Sequence, residues 1–217
     1  MNDDHPMNQT AVKVDHDPIV FIVDDDAALR DALSSLLRSI GLRVETFPSV
    51  AEFAGFQRPD TPSCLVLDVR LKGTSGLDFQ SELVRANVDL PIVFMTGHGD
   101  IAMTVRAMKA GAVDFLAKPF REQDLLDAVT AALEKDKSCR KANKNTQEIR
   151  RCFESLTARE KEIMGLAASG LMNKQIAGQI GLSEITVKIH RGHAMKKMNA
   201  KSFAELVRMA EVLELGK

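Results

Sequence analysis

The stretch Ile19-Val20-Phe21-Ile22-Val23-Asp24-Asp25-Asp26 sets five consecutive apolar residues directly before three carboxylates. An unbroken apolar run of this kind predicts a strand buried on both faces, and the acidic triplet predicts where it emerges into solvent. Further β-type runs stand at Val44–Phe47, Cys64–Leu67, Ile92–Met95 and Val113–Leu116. Between them lie helical patterns, clearest in Leu29, Leu33, Leu36, Leu37 and Ile40, whose three- and four-residue spacings share one helix face. Strands alternating with helices predict an α/β fold: a doubly wound, five-stranded parallel sheet covered on both sides.

The chain has 217 residues, 45% hydrophobic and 27% charged, enough for two packed domains and against general disorder. Its net charge of -1 hides a division. Met1–Lys135 holds 13 basic and 21 acidic residues, whereas Asp136–Lys217 holds 16 and 9. An acidic part that holds a cation, joined to a part that meets a polyanion, fits this asymmetry. No window approaches the roughly 18 consecutive apolar residues of a membrane span. Residues 1–18 carry Asp3, Asp4, Asp15 and Asp17 and no apolar core of a signal peptide, so neither export nor a membrane partner is expected. Cys64, Cys139 and Cys152 form no C-x-x-C pair, which predicts reduced thiols in a cytoplasmic protein.

Ligands of an open parallel sheet collect beyond the carboxyl ends of its strands. The residues there are Asp24, Asp25 and Asp26, then Asp68, Thr96, and Lys118 followed by Pro119. Crowded carboxylates repel unless a cation neutralises them, and an oxygen-only donor set points to Mg²⁺. A metal beside an Asp, with Lys and Thr within reach of phosphoryl oxygens, suits transfer of a phosphoryl group onto Asp68. Any one of these residues alone reads as surface charge or helix cap; their joint placement at the strand ends carries the reading.

Asp136–Arg150 is rich in Lys, Asn and Arg and nearly devoid of large apolar residues, and reads as a linker, helical at its start. The chain thus divides into a polar tail (1–17), an acidic domain (18–135), the linker (136–150) and a small all-helical domain (151–217). Helices are expected at about Ala158–Ser169, Asn173–Ile180, Glu184–Met198 and Ser202–Leu213, with a Thr157/Glu160 capping box and stops at Gly170 and Gly181. The middle pair has helix-turn-helix spacing. On its second helix Ile185, Ile189 and Met195 are candidates for the buried side, and Thr186, Lys188, Arg191 and Lys196 for the outer one. Basic and hydroxyl side chains on such a helix suit the major groove of duplex DNA.

Val23-Asp24-Asp25, Leu67-Asp68, Met95-Thr96-Gly97 and Ala117-Lys118-Pro119, in this order, resemble the receiver domain of two-component response regulators, a flavodoxin-like fold. Leu156-Thr157-Ala158-Arg159-Glu160, Gly170–Ala177 and Thr186-Val187-Lys188-Ile189-His190-Arg191 resemble the LuxR-type four-helix DNA-binding domain. Together they resemble the FixJ/NarL type of response regulator. The resemblance implies that Asp24, Asp25, Asp68 and the Arg70 carbonyl hold Mg²⁺, and that Asp68 accepts phosphate from a sensor histidine kinase. It implies that Thr96 and Lys118 contact the phosphoryl group, that Phe115 acts as an aromatic switch with Thr96, and that Lys118–Pro119 is cis. It assigns DNA contacts to Thr186, Lys188 and Arg191, an apolar base contact to Val187, and backbone contacts to Asn173, Lys174 and His190. It further implies a phosphorylation-dependent homodimer through about Asp100–Leu116, a target in promoter DNA, and RNA polymerase as a partner.

One departure is Leu71-Lys72-Gly73, where the family usually has Met-Pro-Gly, predicting a freer loop after the acceptor. Two other classes fit parts of the chain: an enzyme using Asp68 as a turnover nucleophile, and a module binding RNA or a small signal with structural carboxylates. The sequence offers no cap domain or substrate pocket for the first.

Overall fold

A computed structural model describes residues 17–97 and 101–215. Of the polar tail 1–17, all but Asp17 lies outside the described residues, as does Asp100. The chain divides into two compact units, Met1–Cys139 and Arg140–Lys217.

The first unit is built on strands β1 (Ile19–Val23), β2 (Arg43–Phe47), β3 (Ser63–Asp68), β6 (Ile92–Thr96) and β7 (Asp114–Ala117). They form a parallel sheet in the order β2-β1-β3-β6-β7. All five side chains of β1 are buried. Ile19, Phe21 and Val23 enter one core with residues of α2 (Val50–Gly55), α3 (Gly76–Arg85) and α4 (Ile101–Lys109). Val20 and Ile22 enter the other with α1 (Ala27–Ser39) and the first part of α5 (Glu122–Glu154). Each fully buried side chain of this size contributes about 1.5–3 kcal/mol, so neither face of β1 tolerates a charge.

Local chemistry fixes where the elements begin. The Asp26 carboxylate accepts from the N–H groups of Ala28 and Leu29 and caps α1, which separates it in role from its two neighbours. Gly76 opens α3 against the end of β3, where a Cβ would fall 2.5 Å from the Asp68 carbonyl oxygen, so only glycine fits. The loop that carries Lys72 is a paired hairpin, β4 (Arg70–Leu71) with β5 (Thr74–Ser75), turning through Gly73 at a φ of 85°. Two backbone pairings hold it without the usual proline.

Residues 136–150 are helical throughout, not only at their start, and α5 runs for 33 residues. Ala, Lys, Arg, Gln and Glu are good helix formers, and the segment has no Gly or Pro to stop it. Asp136, the first residue of the expected linker, is buried and accepts from the Ser63 N–H at 2.7 Å, tying α5 to the start of β3. Burial, with the Asp136 charge adding to it, pushes the Cys64 thiol pKa up, so this sulfur stays protonated.

The second unit completes its helices with α6 (Ala158–Ala168), α7 (Asn173–Ile180), α8 (Glu184–Lys197) and α9 (Phe203–Val212). Thr157 and Glu160 form the expected capping box, and Gly181, at a φ of 68°, ends α7 and opens the turn into α8. Among the described residues no helix is long and apolar enough to cross a membrane.

Glu160 is buried and accepts from Lys197 at 2.7 Å, joining the start of α6 to the end of α8. That bond, helped by the Thr157 N–H against the opposing effect of burial, lowers its pKa from 4.5 to about 2. A carboxyl lowered on folding stabilises fully above its unfolded value and loses that contribution as pH falls through its folded one. Replacing Glu160 by Gln should therefore cost about 1.5 kcal/mol near neutrality. Hydrogen exchange of the α6 and α8 amides should show the difference shrinking as pH falls from about 4.5 toward 2. A deficit independent of pH would contradict the assignment.

Candidate functional site

In a sheet of order β2-β1-β3-β6-β7 the chain reverses its winding between β1 and β3. The crevice beyond those two carboxyl ends is where such sheets bind ligands. Asp24 and Asp25 follow β1 and Asp68 ends β3, and one carboxylate oxygen from each lies within 4.8 Å of the others. Asp24 and Asp68 are buried and Asp25 is half-buried.

Three carboxylates this close require compensating charge. Lys118, just after β7, brings its Nζ to 2.7 Å from Asp24 Oδ2 and 3.3 Å from Asp68 Oδ2. Its own N–H donates to the Thr96 carbonyl at 2.7 Å, locking the end of β7 against the end of β6. Arg30 donates to the Asp24 carbonyl, and the Asp26 N–H donates to Asp24 Oδ1, so Asp24 is held from both sides. The Lys118–Pro119 bond is cis, as the resemblance implies.

The Asp68 carboxyl is pushed above its ordinary pKa by burial, with Lys118 opposing the shift and Asp24 adding to it. A carboxylate raised in this way is a better nucleophile once ionised, and a cation beside it favours the ionised form. The donors are all oxygens, partly buried and preorganised, which suits a hard divalent cation such as Mg²⁺.

Thr96 is fully buried at the end of β6, and Phe115 is half-buried with its ring centroid 6.2 Å from that of Phe94. Arg70 lies two residues past Asp68 and donates its N–H to Asp68 Oδ1 at 3.4 Å. One charge at this edge was not read from the sequence: Lys72, at the tip of the hairpin, reaches Asp25 at 3.3 Å. Its position in the loop says nothing of that reach until the hairpin is formed.

On the helical unit, α8 presents a different face from the one its apolar residues suggest. The buried stripe is Val187, Ala194 and Met198, packed on α6 and α7. Val187 is fully buried, which corrects the expectation of a base contact there: a side chain without surface touches no base. Ile185 and Ile189, expected on the buried side, are 74% and 51% exposed. Val187, Ala194 and Met198, at i, i+7 and i+11, form a second helical stripe, and it is this one that is buried in place of the isoleucines. Met195 is partly buried.

Lys188 and Lys174 are exposed, and His190, Asn173 and Thr186 are half-buried. Thr186 shares a 2.7 Å hydroxyl contact with Ser183, the cap of α8. Arg191 donates to Asn173 Oδ1 at 3.0 Å and lies 4.8 Å over the ring of Phe203, a residue the sequence did not single out. Lys196 and Lys197 are both exposed, and Lys197 pairs with Glu160. A Cβ at Gly192 would meet nothing within 4 Å, so no packing within the domain requires this glycine.

Residues 20–130 match the response regulator receiver domain, and residues 154–210 match the luxR family of bacterial regulatory proteins. Over 198 residues the chain is 58% identical to nodulation protein W of Bradyrhizobium diazoefficiens, covering 91% of this chain and 87% of that one. It is 40% identical to the transcriptional regulatory protein FixJ of Azorhizobium caulinodans over 191 residues, 88% of this chain and 90% of that one. The solved structure of the response regulator StyR is 49% identical, with a TM-score of 0.79, covering 90% of this chain and 98% of that one. With both domains matched in order, the chain belongs to the FixJ/NodW/TodT family of two-component response regulators, transcription factors rather than enzymes, whose receiver precedes a LuxR-type helix-turn-helix.

Proposed function

We propose that this response regulator is switched by phosphorylation of Asp68 by a sensor histidine kinase. The modified receiver favours a homodimer that binds a specific duplex operator and recruits or blocks RNA polymerase. The observation that carries this reading is the convergence of Asp24, Asp25 and Asp68 within 4.8 Å, bridged by Lys118.

In this reading an Asp68 oxygen attacks phosphorus, the bond to the donor imidazole nitrogen breaks, and its electron pair returns to the ring. Asp24, Asp25, Asp68 and the Arg70 carbonyl would hold Mg²⁺, which would supply charge neutralisation at the site. Lys118 pairs with the phosphoryl group, Thr96 offers it a hydroxyl, and Phe115 turns inward as Thr96 moves. Self-association through α4 and β7 is supported by the exposure of Ile101, Val105 and Met108 on α4.

Lys188, Arg191 and Thr186 on α8 contact DNA, with Asn173, Lys174 and His190 against the backbone. The apolar base contact passes to the exposed Ile185 and Ile189, which suit a thymine methyl group. Cytoplasmic residence fits the three free cysteines.

The direct test is labelling of the purified chain with a radiolabelled acyl phosphate. One alkali-labile, hydroxylamine-sensitive phosphoryl group per chain is expected. Label should be lost in Asp68→Asn or on chelation of divalent cation, and should fall at least about tenfold in Asp25→Asn. Stoichiometric label on Asp68→Asn would overturn the assignment. On the DNA side, Lys188→Ala should flatten the slope of log affinity against log salt by about one. An unchanged slope would remove Lys188 from the interface.

A further inference from the structure

A groove of about 450 Å³ on the helical unit is lined by Leu171, Asn173, Lys174, Glu184, Arg191 and Phe203, among others. Across it, Arg191 of α8 is held by two groups from different helices. Asn173, the first residue of α7, accepts from its guanidinium at 3.0 Å, and Phe203, the first residue of α9, lies under it at 4.8 Å. Phe203 remains 38% exposed. Burial alone therefore does not account for a large aromatic ring at this position; the cation above it does. Ser202, whose hydroxyl accepts from the Glu205 N–H, caps α9 and fixes where the ring begins.

We infer that Phe203 is a positioning residue for DNA recognition: it holds the Arg191 guanidinium flat, so that this side chain meets DNA already ordered. Stacking engages the face of the guanidinium and leaves its in-plane N–H edges for acceptors, one of which is Asn173. A long side chain ordered before the encounter loses less rotamer freedom on binding than one that must be ordered by it. The inference rests on the reading of Arg191 as a DNA contact and adds the group that prepares it.

The test uses the full chain and a duplex enriched on the wild type from a random-sequence pool, with affinity read by anisotropy of the labelled duplex. Phe203→Leu, which keeps apolar bulk without the ring, should weaken binding about threefold, and Phe203→Tyr should restore it. Arg191→Ala should weaken binding about tenfold, and adding Phe203→Leu to it should cost nothing more. The Arg191 Nε–H resonance should carry a ring-current shift that Phe203→Leu abolishes while hydrogen exchange in α9 is unchanged. If Phe203→Leu unfolds the domain, Phe203→Met decides the same question.

Full affinity in Phe203→Leu with weakened Arg191→Ala would overturn the positioning role and leave the DNA contact standing. Additive losses in the double variant would equally overturn it. Full affinity in Arg191→Ala would remove the contact and the inference together.

Discussion

Three carboxylates at the mouth of one crevice repel each other, and the receiver's chemistry depends on positive charge being brought against them. Lys118 supplies part of it in the structure described, contacting Asp24 and Asp68 at once, and Lys72 approaches Asp25 from the hairpin. The sheet makes this crowding tolerable because β1, β3 and β7 are locked in register by buried side chains and main-chain bonds. Gly76 adds a steric limit, since its backbone lies against the Asp68 carbonyl. A phosphoryl group adds still more negative charge at a place where charge is already balanced by few groups. In the proposed switch the receiver rearranges those groups once Asp68 is modified, and a local ester becomes a change of state.

Such a change has an energetic scale. Moving a population from 1:99 to 99:1 takes about 5.5 kcal/mol of differential free energy, more than one rearranged contact is expected to give. Self-association and DNA binding add to it when they are linked to the modified form. On the helical unit the same economy appears in smaller form: the Glu160–Lys197 pair joins α6 to α8, and Asn173 and Phe203 contact Arg191, so α8 is tied to α6, α7 and α9.

Much of this was legible in the sequence, for identifiable reasons. The apolar run of β1 has only one way to bury both faces, and carboxylates placed immediately after strands can only lie at the sheet's ligand-binding edge. Caps such as Thr157 with Glu160 are local, so spacing alone reveals them. What escaped depended on contacts between distant segments. The face α8 buries is hidden in the sequence because Ile185 and Ile189 also have helical spacing, and contacts of Val187, Ala194 and Met198 with distant helices choose between the two stripes. The continuity of α5 is hard to read because 136–150 has a single large apolar residue, Ile149, whose burial in the helical unit, like the Asp136 bond to Ser63, is a contact between distant segments. Lys72 and Phe203 gave no signal at all, since each matters through a partner far along the chain.

The central claim is that an ester on Asp68 governs how the chain associates with itself and with DNA. The most direct measurement is sedimentation velocity and duplex affinity on the same samples, with and without acyl phosphate and Mg²⁺, for the wild type and Asp68→Asn. The account predicts that phosphoryl-labelled wild type moves from monomer to dimer mass and binds its duplex more tightly, while Asp68→Asn does neither. Stoichiometric label on Asp68 with unchanged mass and unchanged affinity would contradict it.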